Sequence, residues 1–310
     1  MSEADPEAFV AVARRVAPEG RLLAAEPLTG GVSASMHVLE IEEADGRVCR
    51  VVVRRHGTAD WRPHAENVTR SEFALLAALG DLDLPVPRPR LLDESGSDLP
   101  TPYFVMDFVE GTSTVPASAL PGAMREMAAF LARLHGIDVE TAQRPRLPDR
   151  EDPRDAILEY LPAAGLGDRV RAALASGAAG EPASSRSLLH GDFWPGNVLW
   201  QDDRIAAVLD WEDAAIGDPL SDLACCRVEL LCAYGASAMD AFTSHYLEHA
   251  NVDVSGLPLW ELYVSASALA TMPHWGLEPE VLAVRQRHTT AFLERAAADF
   301  LTPAGAAPAS

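Results

Sequence analysis

The sequence predicts an α+β protein, with strands gathered in the first third of the chain and helices in the rest. Three observations carry that expectation. Up to about residue 109, apolar residues cluster or alternate in short runs separated by Gly, Pro and Asp turns, which is the pattern of strands. Further on they recur at helical spacing, as in Met124, Met127, Leu131 and Leu134. Within this helical part, two short β-like runs at 198–200 and 205–209 flank Asp202-Asp203 and read as an isolated hairpin. A chain of 310 residues can hold two lobes, each with its own core.

Element by element, residues 6–17 read as a short helix. Residues 28–32 form a Gly-Gly turn between extended segments, and strands at 36–41 and 48–54 are joined at Asp45-Gly46. A helix at 66–79 presents Phe73, Leu76 and Leu79 on one face, and Gly80 closes it. Pro85-Val86-Pro87 is a rigid connector to strands at 91–92 and 102–108, and Glu110-Gly111 breaks the pattern. The helix through Leu134 ends at Gly136, and the Pro- and Arg-rich segment 141–154 reads as a surface loop. Asp218-Pro219 starts another helix, with Asp capping free amides and Pro suited to the first turn. Apolar helices then continue to about residue 300. The expected division is a lobe at 1–109, a second at 110–301 and a frayed tail at 302–310.

Composition excludes several functions. Acidic residues number 46 against 25 basic ones, a net charge of −21, so general electrostatic binding of nucleic acid is not expected. The same excess would favour a cationic ligand. All the basic residues are arginine. A chain without lysine offers neither a Schiff-base lysine nor a Walker-A phosphate loop. No apolar run is long enough to span a membrane, and the acidic N-terminus with Glu3, Asp5 and Glu7 does not read as a signal peptide, so a cytoplasmic protein is expected. Cys49, Cys225, Cys226 and Cys232 form no C-x-x-C pair and read as buried free thiols. Oligomeric state is not legible.

The chemistry lies in residues 188–224, LLHGDFWPGNVLWQDDRIAAVLDWEDAAIGDPLSDLA. Asp192 and Asn197 share a loop stiffened by Pro195 and Gly196, and the hairpin brings Asp210 back toward them. Two carboxylates and an amide make an oxygen-rich site suited to Mg²⁺, a hard cation that binds through few carboxylates plus substrate phosphates. Phosphoryl transfer uses such a set: a carboxylate to orient the attacking hydroxyl and take its proton, and an Asn and an Asp to hold the metal. Asp192 is then the base, Asn197 and Asp210 are metal ligands, and His190 braces the loop.

The joint pattern, H-G-D-x-x-x-x-N, hairpin, Asp, then G-D-P-x-x-D-L, resembles the catalytic core of the aminoglycoside/choline/macrolide phosphotransferases. The resemblance extends over about residues 20–260 and implies a protein-kinase-like bilobal fold with ATP or GTP as co-substrate, Mg²⁺, and a small-molecule hydroxyl as acceptor. It places Gly30, Gly31 and Ser33 in a loop over the phosphates. Arg54 takes the position where protein kinases carry the phosphate-pairing lysine, with Arg55 as the other choice and Glu72 as its ion-pair partner. Residues 103–111 match the strand and hinge between lobes, with Met106 behind the base and the Asp107 carbonyl and Val109 amide facing the purine. Asp218 caps its helix and ties down the catalytic loop. Glu212, Asp213, Glu229, Asp240, Glu261 and Trp275 are candidates for contact with the acceptor. Two other classes compete: a nucleotide-binding pseudo-kinase, for which the absent lysine speaks, and a metallohydrolase built on His190, Asp192 and Asp210, for which the scattered histidines offer poor spacing.

Overall fold

The computed structural model describes residues 6–28, 34–56, 68–139, 146–162, 164–177 and 186–302. The phosphate loop expected at Gly30, Gly31 and Ser33 lies outside them, as does the tail from 303 onward.

Helix α1 (Pro6–Val16) leads into strands β1 (Arg21–Leu28), β2 (Ala34–Glu42) and β3 (Val48–His56). Helix α2 (Val68–Asp81) follows, and then β4 (Pro89–Asp93) and β5 (Tyr103–Asp107). The five strands form one antiparallel sheet in the order β1-β2-β3-β5-β4. Both faces are covered. Val51, Val53, Tyr103 and Val105 pack with Phe9, Val12 and Ala13 of α1. Val52, Phe104 and Met106 pack with Leu75, Leu76 and Leu79 of α2. Side chains alternate along a strand. Arg54 therefore falls on the α2 side with Val52 and reaches Glu72, whereas Arg55 bonds Ser35 through Nη2 at 3.2 Å.

After the hinge the chain is mainly helical: α3 (Leu120–His135), α4 (Pro153–Tyr160), α5 (Leu166–Ala175), α6 (Leu220–Tyr234), α7 (Ala236–His249), α8 (Leu257–Thr271) and α9 (Pro279–Leu301). Helix α6 packs on α7 and α8, α3 on α7, and α9 on α8. No helix among the described residues is long and apolar enough to cross a membrane. Between α5 and α6 lie four short strands, β6 (Ser187–Leu189), β7 (Val198–Gln201), β8 (Arg204–Val208) and β9 (Ala215–Gly217). β7 pairs with β8 through the expected turn, where Asp202 and Asp203 both take positive φ, as a type I′ two-residue hairpin turn requires.

Three local expectations change. Helix α2 runs through Gly80 to Asp81 instead of stopping before it. The 141–154 loop ends sooner, because Asp152 accepts a hydrogen bond from the Arg154 amide and caps α4. The antiparallel pairing of β6 with β9 is new, and it sets the catalytic loop beside the start of α6.

Candidate active site

The loop after β6 turns sharply at Gly191, whose φ is +88°. A Cβ there would sit 2.0 Å from the Asp213 carbonyl oxygen, so only glycine fits. The loop is held by Asp222 of α6, which accepts hydrogen bonds from the His190 amide at 2.8 Å and the Gly191 amide at 2.9 Å. His135 of α3 also lies on Asp222, at 3.2 Å. Burial works against the Asp222 charge, but the bonds and charge of His135, with His190, hold its carboxyl below the usual range. His190 is fully buried; its Nε2 reaches the Leu209 carbonyl at 2.9 Å and its Nδ1 lies 3.2 Å from the Asp192 amide. Those partners suit a neutral ring protonated on Nε2, and burial lowers its pKa in the same direction. Asp218, expected to tie the loop, instead bonds the Leu220 amide at 2.9 Å and the Trp260 indole at 2.8 Å. It caps α6 and leaves the loop to Asp222.

Asp192 stands at the end of this turn. Asn197 donates from Nδ2 to the Asp192 carbonyl at 2.9 Å and to its carboxylate Oδ2 at 3.1 Å. The Cys225 thiol lies 3.8 Å from the other carboxylate oxygen. Desolvation, then the charges of Asp213, Asp210 and Glu229, push the Asp192 pKa up to about 7, against the Asn197 bond that lowers it. Because Asn197 uses its NH₂ on Asp192, its amide oxygen is the atom left for a hard cation. Asp210, with φ +65°, brings a carboxylate to the same cleft. Burial raises its pKa, despite Arg54, and Glu212 and Glu72 raise it further. This donor set fits Mg²⁺, which needs few protein oxygens beside phosphate and water. Among the described residues no group of three or more His, Cys, Asp or Glu forms a cage for a metal.

Across the cleft, Arg54 gathers three carboxylates. Nε donates to Glu72 at 3.0 Å, and Nη2 to Asp210 at 2.5 Å and to Glu212 at 3.1 Å. Burial opposes its charge, but Glu72, Asp210 and Glu212 outweigh it and raise the pKa. His56 adds Nε2 to Glu72 at 2.9 Å and Nδ1 to Glu212 at 3.1 Å. The other Glu72 oxygen accepts from the Trp211 amide at 3.2 Å, so α2 reaches directly onto the segment after β8. The sequence reading contained the Arg54–Glu72 pair but not His56, nor Glu212 as a member of this group; Glu212 was expected to face the acceptor.

At the hinge, Met106 is buried among the apolar residues of the α2 side, and the Asp107 amide bonds the Arg88 carbonyl at 2.9 Å, while the Asp107 carboxylate pairs with Arg90. Val109 is half-buried. On the other side of Asp192, Asp213 is exposed and Glu229 is held by Arg285 of α9. The Arg285 guanidinium lies 5.7 Å from the Trp275 ring centroid. Glu261 is bound by Arg227 at 2.5 Å and by Arg295 at 3.4 Å.

A kinase-like cleft with an Asp–Asn–Asp set facing an Arg–Glu pair defines a phosphotransferase class, and comparison with known proteins agrees. Residues 24–258 match the model of the phosphotransferase enzyme family (APH), and the chain belongs to that family. It is 31% identical over 193 residues to viomycin phosphotransferase of Streptomyces vinaceus, covering 55% of this chain and 63% of that protein. It is 28% identical over 202 residues to acyl-CoA dehydrogenase family member 10 of Mus musculus, covering 56% of this chain and 18% of that protein. The chain thus spans less than a fifth of that relative. Its fold is similar, with TM-score 0.65 and 14% identity over 96% of this chain and 95% of the other, to amicoumacin kinase hAmiN solved with AMP-PNP, Ca²⁺ and Ami.

Proposed function

We propose that this protein transfers the γ-phosphoryl group of ATP or GTP to a hydroxyl of a small molecule, with Asp192 as the general base. The observation that carries the reading is the Asp192 carboxylate itself, fixed by Asn197 and raised to about 7 in the cleft that Arg54 closes from the opposite lobe. A carboxyl poised near neutrality can take a hydroxyl proton that one near 4 would not hold. Family membership and the nucleotide-bound relative support the phosphoryl donor.

In this reading the lobes divide at 109/110 and the nucleotide lies between them. The hinge at Met106, Asp107 and Val109 meets the base, and the loop of Gly30, Gly31 and Ser33 covers the phosphates. Arg54, oriented by Glu72, pairs phosphate oxygens with a forked donor that never loses its charge. Asn197 and Asp210 hold Mg²⁺, which supplies neutralisation of the phosphate charge. Asp192 accepts the proton as the acceptor oxygen bonds to the γ-phosphorus and the bond from that phosphorus to the leaving nucleoside diphosphate breaks. His190 and Asp222 keep the loop in register.

The acceptor is a small hydroxyl compound. The viomycin and amicoumacin of the related enzymes show how varied such acceptors can be. Of the carboxylates expected to draw a cation, Glu212, Glu229 and Glu261 are all bound to arginines, so a polycationic acceptor gains no support from them. The four free cysteines suit a reducing, cytoplasmic setting.

The test is a screen of hydroxyl acceptors with ATP and GTP, comparing wild type with Asp192→Asn and Asp192→Ala. Turnover should fall by about 10²–10⁴-fold while nucleotide binding, measured by calorimetry, persists. Full turnover by either variant removes Asp192 from its role. Nucleotide binding with no turnover on any acceptor would favour the pseudo-kinase.

A further inference from the structure

We propose that Cys225 is a positioning residue for Asp192, the thiol hydrogen being the second side-chain donor that fixes the carboxylate. The inference rests on the reading of Asp192 as the base. Helix α6 runs beneath the catalytic loop, and the residues it offers there are spaced for one face: Asp222, Cys225 and Glu229. Asp222 holds the backbone of the loop, as described. One turn on, Cys225 Sγ stands 3.8 Å from Asp192 Oδ1, while Asn197 Nδ2 occupies Oδ2 at 3.1 Å. One donor comes from the loop and the other from the helix. Together they fix both the position of the carboxylate and its rotation about χ2. A further turn on, Glu229 pairs with Arg285 of α9.

The chemistry of the contact is specific. Sulfur beside a carboxylate is useful only as a thiol, because a thiolate there would meet like charge. Burial, then the Asp192 and Glu229 charges, keep Cys225 protonated by moving its pKa well above the usual thiol value. It therefore acts as a donor and neither as a nucleophile nor as a metal ligand. An S–H donor is weak. It orients the carboxylate without stabilising the anion enough to remove its basicity, which a strong charged donor such as Arg would do.

The test is steady-state kinetics of Cys225→Ala and Cys225→Ser with an acceptor found by the screen, melting temperatures being measured alongside. Alanine removes the donor. It should lower kcat about two- to fivefold, the low end for a neutral hydrogen bond and in keeping with a weak donor, with the KM values for nucleotide and acceptor unchanged. Serine keeps a donor on a shorter stem and should fall between alanine and wild type. An unchanged kcat in the alanine variant overturns the proposal. So does a loss expressed only in KM, or a serine variant no better than alanine. If the alanine variant does not fold, Cys225→Val, which fills the site without a donor, carries the same test: a lowered kcat with unchanged KM supports the role and an unaltered kcat overturns it. Failure of the base reading is seen separately, as full turnover by Asp192→Asn in an intact Cys225 background.

Discussion

Arg54 shares one guanidinium among Glu72, Asp210 and Glu212, and side-chain exposure of 5% or less for Arg54 and both glutamates makes this a buried network. In a chain without lysine, the fork of an arginine allows one residue to bond α2 and the segment after β8 at once. Arg54→Ala should strand two buried carboxylates and cost about 3–5 kcal/mol, read from urea unfolding. Arg54→Lys keeps the charge but not the fork. It should fold and bind nucleotide more weakly, seen by calorimetry. Asp222 acts on the catalytic loop in a different way. Its carboxyl is depressed in the folded protein, so its stabilising contribution is present above the unfolded carboxyl pKa near ~4 and is lost as pH falls through the lower folded value. Asp222→Asn removes the charge and so removes that contribution at neutral pH. Its stability curve should lie below wild type near pH 7 and converge with it under acid, measured by denaturant titration at several pH values.

At the scale of elements, the turn between β6 and β7 is the unit that does the positioning. Gly191→Ala forces a Cβ onto the Asp213 carbonyl and strains a positive φ, so the turn must open. Turnover should fall by at least tenfold with a smaller loss of nucleotide affinity, seen by parallel kinetics and binding. How legible this unit was depended on distance along the chain. His190, Asp192, Asn197 and Asp210 fall within one contiguous pattern, so their grouping could be read directly. Asp222 and Cys225 could not be assigned their roles, because these depend on the pairing of β6 with β9, strands of three residues each and too short to show a period. The sequence therefore points to Asp218, four residues before Asp222, for the tie to the loop. Glu212 was read as acceptor-facing because its partner Arg54 is 158 residues away, on the other lobe. The start of α4 carried the same Asp-Pro signal that located α6, at Asp152-Pro153, but the Pro and Arg around it masked the signal.

Across the whole molecule, the α2 side of the sheet shares one apolar core with the helical part, and polar contacts join the two lobes beside it. Arg54 and His56 of β3 and Glu72 of α2 reach Asp210, Trp211 and Glu212, and the Val208 amide bonds the Pro85 carbonyl at 2.8 Å. Arg54 thus bonds the carboxylate that the proposed mechanism gives to the metal. A nucleotide bound with Mg²⁺ would replace that direct bond by one through phosphate and cation, with Arg54 on the phosphates and Asp210 on the metal. The bound state then spans the cleft with more charge-assisted contacts than the free one, and ligand that binds only the folded chain stabilises it by mass action. Nucleotide at a hundred times its Kd should add about 2.7 kcal/mol, raising Tm by several degrees in a manner that depends on ligand concentration. The increment should shrink when EDTA removes the divalent ion. In Asp210→Asn the nucleotide alone should still raise Tm, because Arg54 remains, while Mg²⁺ should add nothing further. Thermal scans of both proteins with nucleotide, with and without Mg²⁺, decide the point, and a full metal-dependent increment in Asp210→Asn would take the metal away from Asp210.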